Sequence, residues 1–148
     1  MNTKNKQSPL HILQTIYGYQ NFRSQQEEIV NHIIEGKNAF VLMPTGSGKS
    51  LCYQIPSLCM EGVGIVISPL IALMHDQVTA LNQLGIKAIA INSSLSNHEV
   101  HQAQQMIREG SIDLVYVAPE RILMDEFLDL LSNIKVSLFA IDEAHCVS

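Results

Sequence analysis

The sequence predicts an α/β fold, a doubly wound and mostly parallel sheet with helices on both faces. Two observations predict it. Five short runs rich in Val, Ile and Ala show no polar alternation, the pattern of strands buried on both faces. Stretches of helical period lie between them, as βαβ units require. The chain has 148 residues, enough for one such domain and too few for two.

Taken in chain order, "SQQEEIVNHIIEG" (24–36) reads as a helix closed by Gly36, ahead of the first strand run, "AFVLM" (39–43). A helix is expected from near Gly48, and Pro56, which has no N–H, should kink or end it near Ile55. After the run "GIVIS" (64–68), "PLIALMHDQVTALNQLG" places Leu70, Leu73, Met74, Val78, Leu81 and Leu84 on one face, with Gly85 as the stop. The run "AIAI" (88–91) precedes "SNHEVHQAQQMIREG". There Ser96 or Asn97 is the N-cap, Val100, Ala103 and Ile107 form the apolar stripe, and Gly110 is the stop. The run "LVYVA" (114–118), a helix in "MDEFLDLLSNI" (124–134) and the run "LFAID" (138–142) complete the pattern.

Hydrophobic residues make up 47% and charged residues 16%, a globular composition. A net charge of −5 excludes the strongly basic class that binds nucleic acid by bulk electrostatics. Cys52, Cys59 and Cys146 form no CxxC pair and lie among apolar residues, so reduced, packed thiols are expected. The polar start lacks a signal-peptide core, and no apolar run approaches the roughly 18 residues of a membrane span. A cytoplasmic protein is the expectation. His98 and His101 lie three apart with no third ligand near in sequence, and a solvated helix face is the reading.

The chemistry concentrates in two places. In "MPTGSGKS" a strand runs through a loop into a helix, and glycines let backbone N–H groups close around phosphate oxygens. Thr45, Gly46, Ser47 and Gly48 form that cradle, and the helix dipole adds to it. Lys49 would reach the β- and γ-phosphates and Ser50 would ligate Mg²⁺. The first glycine of GxxxxGK[ST] is replaced by Met43, a variant typical of helicase-like ATPases. In "LFAIDEAHCVS" two acids end a buried strand, the edge where open α/β sheets hold ligands. Asp142 would hold Mg²⁺, Glu143 would orient or deprotonate the attacking water, and His145 would link the nucleotide's state to other parts by hydrogen bonding.

Together, "MPTGSGKSLCYQIP" and "DEAHCVS" resemble the RecQ family of DNA helicases, within superfamily 2, and the resemblance covers residues 17–148. It implies a RecA-like P-loop NTPase lobe over residues 37–148, with residues 1–36 an N-terminal helical segment. "YGYQNFRSQQEEI" resembles the family's adenine-recognition segment, in which Tyr19 and Arg23 would sandwich the base and Gln26 would bond its edge. Gln25 stands where the family usually has Gly. Read from the residues alone, such a segment supplies stacking and amide readout, and also serves to pack and cap. "SPLIALMHDQV" and "YVAPERI" resemble the family's motifs Ia and Ib, which implies DNA-backbone contacts from Ser68, His75 and Arg121, with Asn92 and Ser93 of "INSSLS" as further candidates.

The resemblance further implies an ATP-dependent 3′–5′ DNA helicase of repair and recombination, using ATP and Mg²⁺ on single-stranded or tailed DNA. An aromatic-rich loop, the rest of this lobe and a second RecA-like lobe with an arginine finger would lie beyond Ser148, so the sheet is expected to be incomplete at its C-terminal side. An arginine finger is worth about 10³–10⁵ in rate. The 148-residue chain alone is therefore expected to bind ATP weakly, hydrolyse it very slowly and unwind nothing. A nucleotide-binding or interaction module without helicase activity is the alternative reading.

Overall fold

The computed structural model describes residues 8–23, 26–35, 40–44 and 50–143, with the backbone alone for residues 40–44, 142 and 143. A five-stranded sheet forms its centre: β1 (Phe40–Pro44), β2 (Val63–Ile67), β3 (Ala88–Ile91), β4 (Leu114–Val117) and β5 (Val136–Glu143). The spatial order is β1-β5-β2-β4-β3 and every pairing is parallel. All five sequence runs are strands, within two residues at each end, and β3 matches to the residue. Their uniform apolarity follows from the layers on either side.

One face of the sheet packs Val66, Ala88, Leu114, Tyr116, Leu138 and Ala140 against α3 (Leu51–Cys59) and α4 (Ile71–Gln83). The other packs Val63, Ile65, Ile91, Val115 and Val117 against α5 (Asn97–Arg108) and α7 (Asp125–Ser132). Neighbours along one strand, such as Ile65 and Val66, thus serve opposite layers, as the period of two requires. A short α6 (Pro119–Ile122) bridges β4 to α7. At the N-terminus α1 (Pro9–Ile12) continues into one π-helical turn, Leu13–Tyr17, and with α2 (Gln26–Ile34) packs Ile12, Leu13 and Val30 onto Ile55 of α3.

The stops and caps read from the sequence hold where they are described. Ser96 caps α5 in a reciprocal capping box with Glu99. Gly85, at φ 90°, ends α4: its N–H bonds Asn82 O and that of Ile86 bonds Leu81 O. Gly110 closes α5 in the same way. Val100, Ala103 and Ile107 are buried as expected, and Gln104 joins them. Gly36 and Cys146 lie outside the described residues. Cys52 is buried, and Cys59 is half-buried.

Two expectations are corrected. Pro56 does not end its helix, for α3 runs on to Cys59. The proline forfeits one donor at a cost of about 3 kcal/mol. Six consecutive buried residues, Cys52 to Ser57, hold the segment in place against that cost. The apolar face of α4 is also shorter than its pattern: Met74 and Leu81 are buried, whereas Leu70 and Leu84 at its ends are exposed.

Helix and sheet approach closely at Gly64 of β2, where an added Cβ would collide with Ser57 Oγ and with Leu114 Cδ2 at 2.9 Å. Gly64→Ala is therefore expected to destabilise the fold by about 1–3 kcal/mol, read as a lowered urea midpoint at unchanged slope.

Candidate functional site

Because every strand is parallel, all five C-terminal ends lie on one edge of the sheet. One row of paired residues crosses it: Leu42 pairs Ile141, Ile141 pairs Ile67, Ile67 pairs Val117 and Val117 pairs Ile91. One residue further along each strand stand Met43, Asp142, Ser68, Ala118 and Asn92. The glycine-rich loop, the acid motif and the three loops resembling DNA-contact motifs therefore leave the sheet side by side. With strands about 4.8 Å apart, Asp142 is one step from β1 and one from Ser68.

The register closest to the chemistry is between β1 and β5, where Met43 pairs Asp142 and Pro44 pairs Glu143. The strand feeding the glycine-rich loop is thus the direct neighbour of the strand ending in the two acids. Thr45, Gly46, Ser47, Gly48, Lys49 and His145 lie outside the described residues. Ser50 is described at the head of α3, where its carbonyl accepts from Tyr53 N–H at 3.2 Å and Gln54 N–H at 3.0 Å. Its hydroxyl makes no capping hydrogen bond, although serine at this position usually caps.

An open cleft of about 300 Å³ adjoins Ser50, with Tyr17, Tyr19, Leu51 and Gln54 on one side and Asp76, Gln77 and Ala80 of α4 on the other. Tyr19 is 57% exposed, a large aromatic face turned to solvent. Arg23 and Gln26 are not among the cleft's lining residues. Gln26 Oε1 accepts from Arg23 N–H at 2.8 Å, and Gln26 N–H bonds Arg23 O at 2.9 Å, so this glutamine fixes the turn that presents Arg23. Gln25 lies outside the described residues.

Beneath the cleft is a polar network that the sequence reading missed. The Tyr17 hydroxyl donates to Gln54 Oε1 at 2.9 Å. Gln54 Nε2 donates to Gln77 Oε1 and to the Tyr116 hydroxyl, both at 2.9 Å. Tyr116 donates to Gln77 Oε1 at 3.2 Å, which commits its one proton, so at 3.1 Å it accepts from Tyr53. Gln54 is only 4% exposed, and a glutamine so enclosed must satisfy both ends of its amide. Its signal in the sequence is a lone amide inside the apolar run "LCYQIPSLC". Burial pushes the Tyr17 phenol far above its ordinary value, and the nearby Tyr116 adds to the shift.

The residues proposed for DNA divide by exposure. His75 is exposed on α4, and Arg121, partly buried, directs Nη1 at Met124 Sδ at 3.6 Å. Ser68 and Asn92 are 1% and 0% exposed and instead shape their loops. Ser68 Oγ accepts weakly from Leu70 N–H at 3.4 Å. Asn92 Oδ1 accepts from the N–H and hydroxyl of Ser94, while its Nδ2 has no hydrogen-bond partner among the described residues. Ser93 beside it is exposed. His98 and His101 are both exposed, and the described residues hold no cluster of three or more metal-ligating side chains. No helix among the described residues is long and apolar enough to cross a membrane.

A parallel sheet with these loops on one edge is a RecA-like fold. The crystal structure of the DUF1998 helicase MrfA bound to DNA and AMPPNP shares it, with a TM-score of 0.66 over 93% of this chain and 26% of that one, at 17% identity. The chain belongs to the DEAD/DEAH box helicase family, whose model matches residues 23–148. Within it the sequence is similar to RecQ helicases. It is 50% identical over 143 residues to the ATP-dependent DNA helicase RecQ of Pasteurella multocida and 48% identical to that of Haemophilus influenzae. It is 50% identical over 138 residues to the Bacillus subtilis RecQ. The alignments cover 93–97% of this chain and 23% of each relative, so the chain spans about a quarter of the curated relatives' length.

The raised Tyr17 pKa gives a pH test. The neutral phenol is favoured by folding, so its contribution is complete below the ordinary value of 10.0 and is lost as pH rises above it. Tyr17→Phe should lose less stability than the wild type between about pH 9.5 and 11.5, measured by urea unfolding. Equal losses would contradict a half-buried, neutral Tyr17 donor.

Proposed function

We propose that this chain is the ATP-binding part of a RecQ-type ATP-dependent 3′–5′ DNA helicase, acting in the cytoplasm on DNA under repair or recombination. The observation that carries the proposal is the pairing of β1 with β5, which sets the end of the phosphate-loop strand beside Asp142 and Glu143. Residues 37–148 act as the motor lobe and residues 1–36 as a base-recognition segment, whose described helices pack on α3.

Lys49 holds the β- and γ-phosphates, with Thr45, Gly46, Ser47 and Gly48 supplying backbone donors. Ser50 and Asp142 offer the hard oxygen donors that Mg²⁺ takes, and the absence of a capping bond at Ser50 leaves its hydroxyl suited to that role. When bound, the ion neutralises charge on the transferred phosphoryl group. Glu143 orients water for attack on the γ-phosphorus, displacing the bridging oxygen with ADP, and accepts the water's proton. His145 links this site to the DNA-facing loops. Tyr19 and Arg23 stack on adenine, with Gln26 at its edge. Single-stranded or tailed DNA runs past His75 and Arg121, on loops shaped by Ser68 and Asn92. A second lobe, if encoded beyond Ser148, supplies the arginine finger.

The test uses the intact protein that carries this chain. Lys49→Ala should abolish ATP binding and turnover. Glu143→Gln should retain binding and lower DNA-stimulated kcat by about 10²–10⁴. Undiminished turnover in both variants would overturn the assignment. Arg121→Ala should weaken single-stranded DNA binding and reduce its log–log salt slope by about 0.7, one phosphate contact.

A further inference from the structure

The Tyr17–Gln54 hydrogen bond joins the base-recognition segment to the helix that the phosphate loop feeds, two residues before Tyr19. The Gln54 amide is held at both of its ends. Both protons of its Nε2 go to Gln77 and Tyr116, so Oε1 is the atom left to face Tyr17. Gln77 is on α4 and Tyr116 on β4, which makes the anchor part of the sheet and its covering helix rather than of a loop.

On the other side of the anchor the chain turns tightly. Gly18 takes φ 81°, and the N–H groups of Gly18 and Tyr19 both bond Leu13 O. Leu13 packs beside Ile55 of α3. Gln14 Nε2 donates to Gln20 O at 3.0 Å and closes the turn from outside. Tyr19 is thereby exposed as a side chain yet fixed as a backbone, on a cleft it shares with Ser50.

We infer that Tyr17, through Gln54, is a positioning residue for the nucleotide's base: it fixes the distance between the Tyr19 ring and the head of α3. The inference rests on the ATP reading above. A ligand with both triphosphate and base has to satisfy the two ends at once, and its affinity depends on that distance being preset. A ligand with the phosphates alone does not sense it. Gln77 and Tyr116 act one step further back by orienting the Gln54 amide.

The intact protein, its Tyr17→Phe and Gln54→Leu variants and the double variant would be titrated with Mg²⁺-ATP and with Mg²⁺-tripolyphosphate, in competition with a fluorescent ATP analogue. Tyr17→Phe removes one oxygen and keeps the ring, so the fold is retained. ATP affinity should fall about 2- to 10-fold, the worth of one hydrogen bond, with tripolyphosphate affinity unchanged. The double variant should lose no more of the ATP-over-tripolyphosphate preference than Gln54→Leu alone. Equal weakening of both ligands would reduce Tyr17 to a structural role, and unchanged ATP affinity or additive losses would also overturn the inference. A wild type that binds neither ligand, or prefers tripolyphosphate, would instead overturn the ATP reading itself.

Discussion

The insertion of β5 between β1 and β2 is the constraint on which the site depends. The acids and the phosphate loop are nearly a hundred residues apart, and only this parallel pairing makes their strand ends neighbours. Such a pairing closes a long loop and contributes little until most of the sheet is present. It is also set to a single register. A slip of one residue would turn the β5 side chains that serve each layer toward the other. The apolar demands of the two helical layers thus fix where the carboxylates emerge.

The same edge carries the candidate DNA loops, and the spacing has a mechanical consequence. Asp142 and Ser68 are in one row of the sheet, one strand apart, with Ala118 and Asn92 next in line. Loops at this edge are joined through a close-packed sheet rather than through a flexible linker. The tyrosine–glutamine network strengthens this on the α3–α4 face, since it joins the N-terminal segment, α3, α4 and β4 through five hydrogen bonds. Gln54 links three of those elements, and its amide is useful there because it donates and accepts at once.

Local chemistry made much of this legible in advance. Strands buried on both faces show as unbroken Val/Ile/Ala runs, and helix ends show where Ser96, Gly85 and Gly110 supply the caps the backbone needs. The loop and acid motifs stand out in the sequence because their residue types and spacing are themselves the chemistry. Pro56 does not act as a stop because its local cost is overcome by packing with partners distant in sequence. The enclosure of Ser68 and Asn92 was hidden for a similar reason: whether a serine or asparagine at a strand end faces solvent depends on the neighbouring strands. Strand order and the Tyr17–Gln54–Gln77–Tyr116 network join residues up to about a hundred apart. Single polar residues in apolar runs gave only a faint sign of them.

The most direct measurement is a crystal structure of the intact protein with Mg²⁺ and a non-hydrolysable ATP analogue. The account predicts the γ-phosphate at the mouth of β1 and β5, between Lys49 and Glu143, with the base against Tyr19. A nucleotide bound elsewhere, or one whose triphosphate lies away from the β1–β5 edge, would contradict it.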